Sequence, residues 1–464
     1  MGIKVRQSAD DPYKRPLYPL EVNDEWRQVI NKVSKELQKD IEDILKAVMI
    51  CGPKSAGKST LSRLLVNRII TARCPGSPPQ SGQPLYYLDL DPGQPEFSVP
   101  GQISLVSIKE PIIGPPFTQA HVRAPNVIVR AHTLAAVTPA DNPKHFIACA
   151  LDLIEAIEKE AGGRAGDYAG PIMINCPGWY MGTGVDLVKE LMRNTLEVTD
   201  VIALTSTGRV AEDISATARE FQDMRVHFLE PLVDSGSGPR TSAELREMQM
   251  ISYFHHDGNH GTHLGEDPIS TRTPYEVSYA EDSYDFAGIL DYTEFPSMKF
   301  VKTLLNGTTV ALVEIEDVSA IADRETTREN DIQIPFFKPG PDGYSQPLDP
   351  RKSRFVGLAL IRSIDVKNQA LHVITPLEEQ VLAKLDPDKL VLVRGSFDTP
   401  GWAYKEDLYF QEEKARRLQK KDAVDGWEDL DNDDAPVVRP WVKKVEGSER
   451  PGLMTASWRT RRFQ

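Results

Sequence analysis

Nine consecutive residues, Gly52-Pro53-Lys54-Ser55-Ala56-Gly57-Lys58-Ser59-Thr60, have the spacing of a loop that wraps the phosphates of a nucleotide. Glycines let the backbone turn closely enough for successive N–H groups to face phosphate oxygens. A helix starting just after them adds its partial positive charge. In that reading Lys58 reaches the β- and γ-phosphates of the nucleotide, Ser59 ligates Mg²⁺ and Thr60 is a further phosphate or hydrogen-bonding contact. The plainer alternative is a glycine-rich turn between a strand and a helix, and the presence of every fixed position argues against it. A second set follows at Leu85-Tyr86-Tyr87-Leu88-Asp89-Leu90-Asp91, which reads as a buried strand ending in carboxylates, where an α/β sheet presents its reactive groups. Asp91, followed by Pro92-Gly93-Gln94, is placed to take part in holding Mg²⁺ and its water, or to accept a proton from an attacking hydroxyl. Asp89 lies two residues back on the same face and can share or take over that role. Gln94 is placed to orient an acceptor or a water. A strand-end aspartate can also merely cap the next turn, a reading that the neighbouring phosphate loop disfavours.

These groups need a frame, and the flanking sequence supplies one. Ala47-Val48-Met49-Ile50-Cys51 suits a buried parallel strand ahead of the loop, and Leu61, Leu64, Leu65 and Ile69 recur at helical spacing behind it. Trp26, Ile30, Val33, Leu37, Ile41 and Leu45 mark a long amphipathic helix before the strand, preceded by an extended arm over residues 1–20. Residues 74–84 read as a surface loop rich in Pro, Gly and Ser. Strands are expected at 102–108, 126–131, 171–176 and 201–206, with helices at 143–160 and 185–194. This alternation makes the fold class α/β: a P-loop domain over residues 46–296, built on a parallel sheet flanked by helices. A Ser/Gly-rich segment at 234–240 leads to a helix at 241–256, and residues 257–296 read as irregular. Short β-like runs at 301–305, 309–315, 355–364, 369–375 and 390–395 then suggest a smaller β-rich domain over 297–421, interrupted by a long, partly disordered loop at 317–353. An acidic block at 422–434 with seven carboxylates gives way to a tail at 439–464 with seven basic side chains against two acidic ones.

The net charge of −14 on 464 residues excludes a surface that attracts nucleic acid all over; any such site must be a local basic groove. Cys51, Cys74, Cys149 and Cys176 show no paired metal spacing, which points to a reducing compartment. No apolar run is long enough to span a bilayer and the N-terminus has no signal-peptide pattern, so a soluble intracellular chain without a membrane partner is expected.

The run Leu88-Asp89-Leu90-Asp91-Pro92-Gly93-Gln94-Pro95-Glu96-Phe97-Ser98-Val99-Pro100-Gly101 resembles the signature of the eukaryotic polynucleotide 5′-hydroxyl kinases, and is closer to their nucleolar branch than to the kinase of the pre-mRNA cleavage machinery. Asn175-Cys176-Pro177-Gly178-Trp179 is similar to that family's Asn-Thr-x-Gly-Trp segment, with Cys176 in place of threonine. Thr138-Pro139 with Asn142-Pro143 resembles its clasp, without the usual serine. Arg240-Thr241-Ser242-Ala243-Glu244-Leu245-Arg246 resembles the branch's lid, and matches continue through the β-rich region to Ser457-Trp458-Arg459. Only an arm and a helix are expected over residues 1–45, where the family carries an N-terminal β-domain ahead of the phosphate loop.

The resemblance implies an ATP-dependent kinase acting on RNA 5′-hydroxyl ends. Lys58 and the loop amides would hold ATP, Ser59 and Asp91 would organise Mg²⁺, and Asp91 or its metal-bound water would take the hydroxyl proton. Arg240 or Arg246 would stabilise charge on the transferring phosphoryl group, with Arg246 the better fit to the lid pattern. Trp179, beside Gly178 and with Thr138 nearby, would hold the acceptor strand by stacking; packing is the plainer role for a tryptophan. The family further implies a hetero-oligomer with a HEPN-type endoribonuclease that cuts the second internal transcribed spacer of precursor ribosomal RNA in the nucleolus. Two other classes compete: a nucleotide-hydrolysing switch and an assembly scaffold with little kinase activity. Trp441 and Trp458, set among basic residues, suit anchoring on a partner.

Overall fold

The computed structural model describes residues 22–37, 46–72, 84–162, 170–178, 183–194, 198–205, 208–221, 224–232, 240–257, 261–262, 268–294, 298–406, 408 and 411. The arm at 1–20, the last part of the expected first helix, the loop over most of 74–84, Trp179, residues 234–239 and the tail at 422–464 with Trp441 and Trp458 lie outside them.

The first half runs α1 (Asp24–Leu37), β1 (Ala47–Cys51), α2 (Lys58–Ala72), β2 (Leu85–Asp89), β3 (Gln102–Ile108), β4 (Val127–Thr133), α3 (Pro143–Gly162), β5 (Ile172–Asn175), α4 (Thr183–Asn194), β6 (Val198–Ala203), α5 (Arg209–Ala218), β7 (Arg225–Phe228) and α6 (Ser242–Phe254). Its seven strands form one sheet in the order β4-β3-β2-β5-β1-β6-β7. All of β1 and β2 is buried, because helices cover both faces of the sheet. Trp26, Leu61 and Leu65 of α1 and α2 pack on one face, and Phe146, Leu153 and Leu191 of α3 and α4 on the other. The strands β2, β5, β1, β6 and β7 run parallel. The expected parallel sheet holds over these five strands and becomes mixed at one edge, where β3 pairs antiparallel with both β2 and β4. Residues 90–101 return from β2 to β3 without the crossover helix that a parallel connection needs.

The second half adds β8 (His256–Asp257), β9 (Gly261–Thr262), β10 (Tyr275–Ser278), β11 (Gly288–Asp291), α7 (Val301–Leu305), β12 (Thr308–Ile315), β13 (Thr326–Thr327), β14 (Phe336–Phe337), β15 (Ser353–Asp365), β16 (Ala370–Ile374), α8 (Glu379–Leu382) and β17 (Leu390–Arg394). Its sheet has eight strands, in the order β10-β16-β15-β12-β17-β11-β14-β13. Three expectations change here. The sheet takes in β10 and β11, so it begins well before residue 297 and is no smaller in strand number than the first. Residues 301–305 are a helix and not a strand, since Val301 and Leu305, four apart, are both fully buried on one side of it. The segment 317–353 is ordered: Ile332, Ile334, Phe336 and Leu348 are core residues spaced among charges.

The two sheets pack on each other. Gly395 has no room for a Cβ, which would lie 2.2 Å from the Ala135 carbonyl oxygen, and Phe254 packs against Trp402, the rings tilted by 32° with centroids 5.1 Å apart. Arg130 on β4 pairs with Asp152 on α3 and donates to the Pro350 carbonyl at 2.7 Å. No helix among the described residues is long and apolar enough to cross a membrane.

Candidate active site at the phosphate loop

Out of β1 the chain turns through residues 52–57 and enters α2 at Lys58. Close approach dictates both outer glycines. A Cβ on Gly52 would lie 2.8 Å from that of Leu204 at the end of β6. Gly57 has φ +95°, and a Cβ there would stand 2.9 Å from Leu232 and 3.0 Å from the Trp26 ring. Trp26 is fully buried and its Nε1 donates to the Glu230 carbonyl at 3.0 Å. Thus α1, which the sequence sets apart as an arm and helix, forms one wall of the loop. Pro53, Lys54 and Ser55 are exposed at its crown, while Ala56 is buried and Ser59 and Thr60 are half-buried at the helix start. Lys58 is buried, and its Nζ donates to the Pro53 carbonyl at 3.1 Å. Burial pushes the lysine pKa down, and the Asp91 carboxylate is the strongest influence holding it up.

Asp91 follows the C-terminal end of β2 and is half-buried. One carboxylate oxygen accepts from the Gly93 N–H at 3.0 Å and the Gln94 N–H at 3.3 Å, which leaves Oδ2 without a hydrogen bond among the described residues. Asp89 is different. It is fully buried and accepts from the Glu96 N–H at 2.5 Å and from Asn175 Nδ2 at 3.0 Å. Desolvation raises its pKa to about 7, opposed by those hydrogen bonds. Asp89 therefore braces the loop beyond β2 against the end of β5, and Asp91 is the carboxylate with an open oxygen beside Lys58.

The acceptor segments converge on the same edge of the sheet. Gly93 lies against residue 137, whose carbonyl would be 3.0 Å from a Cβ at that glycine, so the Asp91–Gln94 turn abuts the Val137-Thr138 segment. Thr138 caps the short helical turn after it, accepting from the Ala140 N–H at 3.2 Å. Gly178 packs on Lys54, where a Cβ would stand 3.1 Å from the Lys54 Cα. The structure thus brings Gly178, Lys58, Asp91, Gln94 and Thr138 around the phosphate loop.

Residues 52–256 match the family model of the P-loop domain of the mRNA cleavage and polyadenylation factor CLP1. The match takes in the phosphate loop, the carboxylate turn after β2 and the helix α6. Over more of its length, the chain is 34% identical across 98% of its residues to the polynucleotide 5′-hydroxyl-kinase GRC3 of Gibberella zeae, covering 65% of that protein. It is 32% identical across 89% of its residues to grc3 of Aspergillus oryzae, covering 55% of it. The chain spans between about half and two thirds of the length of these relatives. Clp1 in two solved Clp1p–Pcf11p structures superposes with TM-scores of 0.54 and 0.55 at 17% identity, covering 80% of this chain and 79% of each of those, which shows a shared fold.

Within the matched segment the two lid arginines part company. Arg246 Nε is 2.5 Å from Asp398 Oδ2, a residue of the second half, and only 15% of the arginine side chain is exposed. Arg240 Nε is buried and has no hydrogen-bond partner among the described residues. The lid helix α6 starts on a capping box, in which Thr241 Oγ1 accepts from the Glu244 N–H and the Glu244 carboxylate accepts from the Thr241 N–H. Gln249 pins it to the loop after Gln94, donating to the carbonyls of Pro95 at 2.8 Å and Ser98 at 2.5 Å. No motif marks Gln249, and the helical pattern that includes Trp26 does not place it at the phosphate loop; both act through contacts more than 150 residues apart in the chain. His132 and His255 are buried partners of Asp152 and Glu406. Among the described residues no group of three or more His, Cys, Asp or Glu forms a metal cage. An Mg²⁺ carried on nucleotide phosphates asks for only one or two protein ligands, and the open Oδ2 of Asp91 with the Ser59 hydroxyl fits that demand.

Proposed function

We propose that this chain is an ATP-dependent polynucleotide 5′-hydroxyl kinase acting on RNA. The observation that carries the reading is the open Asp91 oxygen next to Lys58, with the Val137-Thr138 segment abutting the same turn. The 5′-hydroxyl oxygen attacks the γ-phosphorus, the bond to the β-phosphate oxygen breaks and ADP departs. Asp91 accepts the hydroxyl proton, and Gln94 orients the acceptor. Lys58 and the N–H groups of Lys54 to Thr60 hold the phosphates, and an arginine of the lid faces the charge that develops between donor and acceptor. Ser59 and Asp91 would hold Mg²⁺, which supplies charge neutralisation on the phosphates. Trp179, outside the described residues, follows Gly178 and is the candidate to stack the terminal base.

The finer reading places the acceptor at the 5′-hydroxyl left when a HEPN-type endoribonuclease cuts the second internal transcribed spacer of precursor ribosomal RNA. The chain would then work in the nucleolus within a hetero-oligomer. The nucleolar-branch character of residues 88–101 and of the lid supports this, as does the similarity to the GRC3 proteins.

The test is phosphate transfer from labelled ATP to a 5′-hydroxyl RNA. Lys58→Ala abolishes transfer with the fold intact. Asp91→Asn keeps ATP affinity within a few-fold and lowers turnover by about two orders of magnitude, because a proton acceptor acts in the transition state. A wild-type chain that hydrolyses ATP without labelling RNA would show a switch instead, and copurification with the nuclease checks the partner.

A further inference from the structure

A cavity of about 540 Å³ lies between α6 and the segment that joins β3 to β4. Phe117, His121, Arg123 and Asn126 line it from the connecting segment, and Met248 and Ser252 from α6. Gln249, which lies between Met248 and Ser252 in the chain, is the side chain that pins α6 to Pro95 and Ser98. The helix that borders the cavity is therefore also fastened to the loop bearing Gln94.

The lining has a definite chemistry. Arg123 is exposed, and among the described residues no hydrogen bond or ion pair engages its guanidinium. Glu110 is the one acid on the wall. Asn126 uses its side-chain oxygen on the N–H groups of Lys109 at 2.7 Å and Glu110 at 3.1 Å, which leaves its amide N–H₂ to donate elsewhere. His121 is held rigidly, its ring stacked on Tyr253 at 4.5 Å and on His256 at 3.8 Å, with Nε2 bonded to the Tyr253 carbonyl at 2.9 Å. Burial, with His256 and Arg123 adding to it against that hydrogen bond, holds the imidazole down at about 4. At neutral pH it is uncharged, donates through Nε2 and keeps Nδ1 as an acceptor. A flat aromatic ring, an unpaired planar cation, a free amide donor and a neutral imidazole acceptor match a nucleobase and its phosphate. On a chain of charge −14 such a locally unpaired cation is what an RNA strand requires.

We propose that this cavity is a subsite for a nucleotide of the acceptor RNA beyond the 5′ end, with the base against Phe117 and Asn126 and a phosphate on Arg123. The proposal deepens the kinase reading and rests on it for the identity of the strand. Its test is binding, not catalysis. Fluorescence anisotropy of 3′-labelled 5′-hydroxyl RNAs of two and ten nucleotides is measured on the full chain without ATP. The ten-mer binds more tightly than the dimer, and Phe117→Ala and Arg123→Glu each weaken the ten-mer about tenfold. Arg123→Glu also lowers the salt dependence of ten-mer binding by roughly one counterion. Should Phe117→Ala misfold by circular dichroism, the exposed Arg123→Glu decides alone. Unchanged ten-mer affinity overturns the proposal and leaves the cavity to a protein ligand. A wild-type chain that transfers no phosphate, yet loses RNA affinity in Arg123→Glu, keeps the subsite and discards the kinase.

Discussion

Burial separates Asp89 from Asp91, although both leave β2 on one side. Asp89 is enclosed by the Glu96 N–H and the Asn175 amide, both of which need an acceptor, whereas Asp91 keeps one oxygen open. Asp89→Asn turns one of those acceptors into a donor facing a donor. It should cost about 1–3 kcal/mol of stability in urea unfolding, with turnover falling because the Asp91 turn shifts; Asp91→Asn should leave stability nearly unchanged. The arginines divide in a similar way. The lid pattern in the sequence favours Arg246, but its guanidinium is paired with Asp398, and Arg240 is the arginine with an unsatisfied buried N–H. Arg240→Ala should therefore lower kcat more than it weakens ATP binding, and Arg246→Ala should do so to a smaller extent. Single-turnover rates set beside ATP titrations check the order, and the reverse order would return the transition-state role to Arg246.

The elements that carry the site follow from continuous apolar runs and glycine spacing, which is why β1, the phosphate loop, α2 and β2 were legible in the sequence. Their neighbours were less so, each for a physical reason. The antiparallel placing of β3 depends on a loop that lacks a crossover helix. The helix at Val301–Leu305 is too short for its period to be told from that of a strand. The order of 317–353 comes from isolated apolar residues such as Ile334 and Phe336, whose burial is supplied by β11, β12 and β17 from elsewhere in the chain. The role of α1 rests on one contact, Trp26 against Gly57. A further feature invisible to spacing is His145 on α3, buried edge-to-face against Tyr292 of the second half at 5.2 Å. Burial, abetted by His132 and opposed by the Thr133 carbonyl, holds it down at about 4. Its folded pKa lies below the unfolded value of about 6.5, so its contribution is fully present above pH 6.5 and is lost as pH falls toward 4. Between pH 7.5 and 5 the wild type should lose about 2 kcal/mol relative to His145→Gln, from 1.5 pH units at 1.36 kcal/mol each. Urea unfolding of both proteins at the two pH values measures it, and a constant difference would place the imidazole in contact with water.

At the scale of the molecule the two sheets are joined by groups that neither can satisfy alone. Gly101 lies against Phe397, where a Cβ would come within 2.6 Å of the ring, and residues 136 and 396 form a backbone bridge. Buried His255, at the end of α6, is bonded to Glu406 at 2.7 Å, whose other oxygen accepts from the Ile269 N–H at 2.9 Å. Arg351 pairs with Glu155 across the same junction. Opening this interface would expose Phe254 and Trp402, part Glu406 from His255 and take the Pro350 carbonyl from Arg130, a cost of several kcal/mol. Two halves coupled that strongly unfold together, even though each has a sheet of its own. Scanning calorimetry should therefore show one transition, with the calorimetric and van't Hoff enthalpies in agreement. A non-hydrolysable ATP analogue at a hundredfold excess over its Kd adds about 2.7 kcal/mol, and it should move the whole transition, although its site lies in the first half. Two transitions, with only one displaced by the analogue, would show that the phosphate-loop half folds independently and that the Arg246–Asp398 pair closes a mobile boundary.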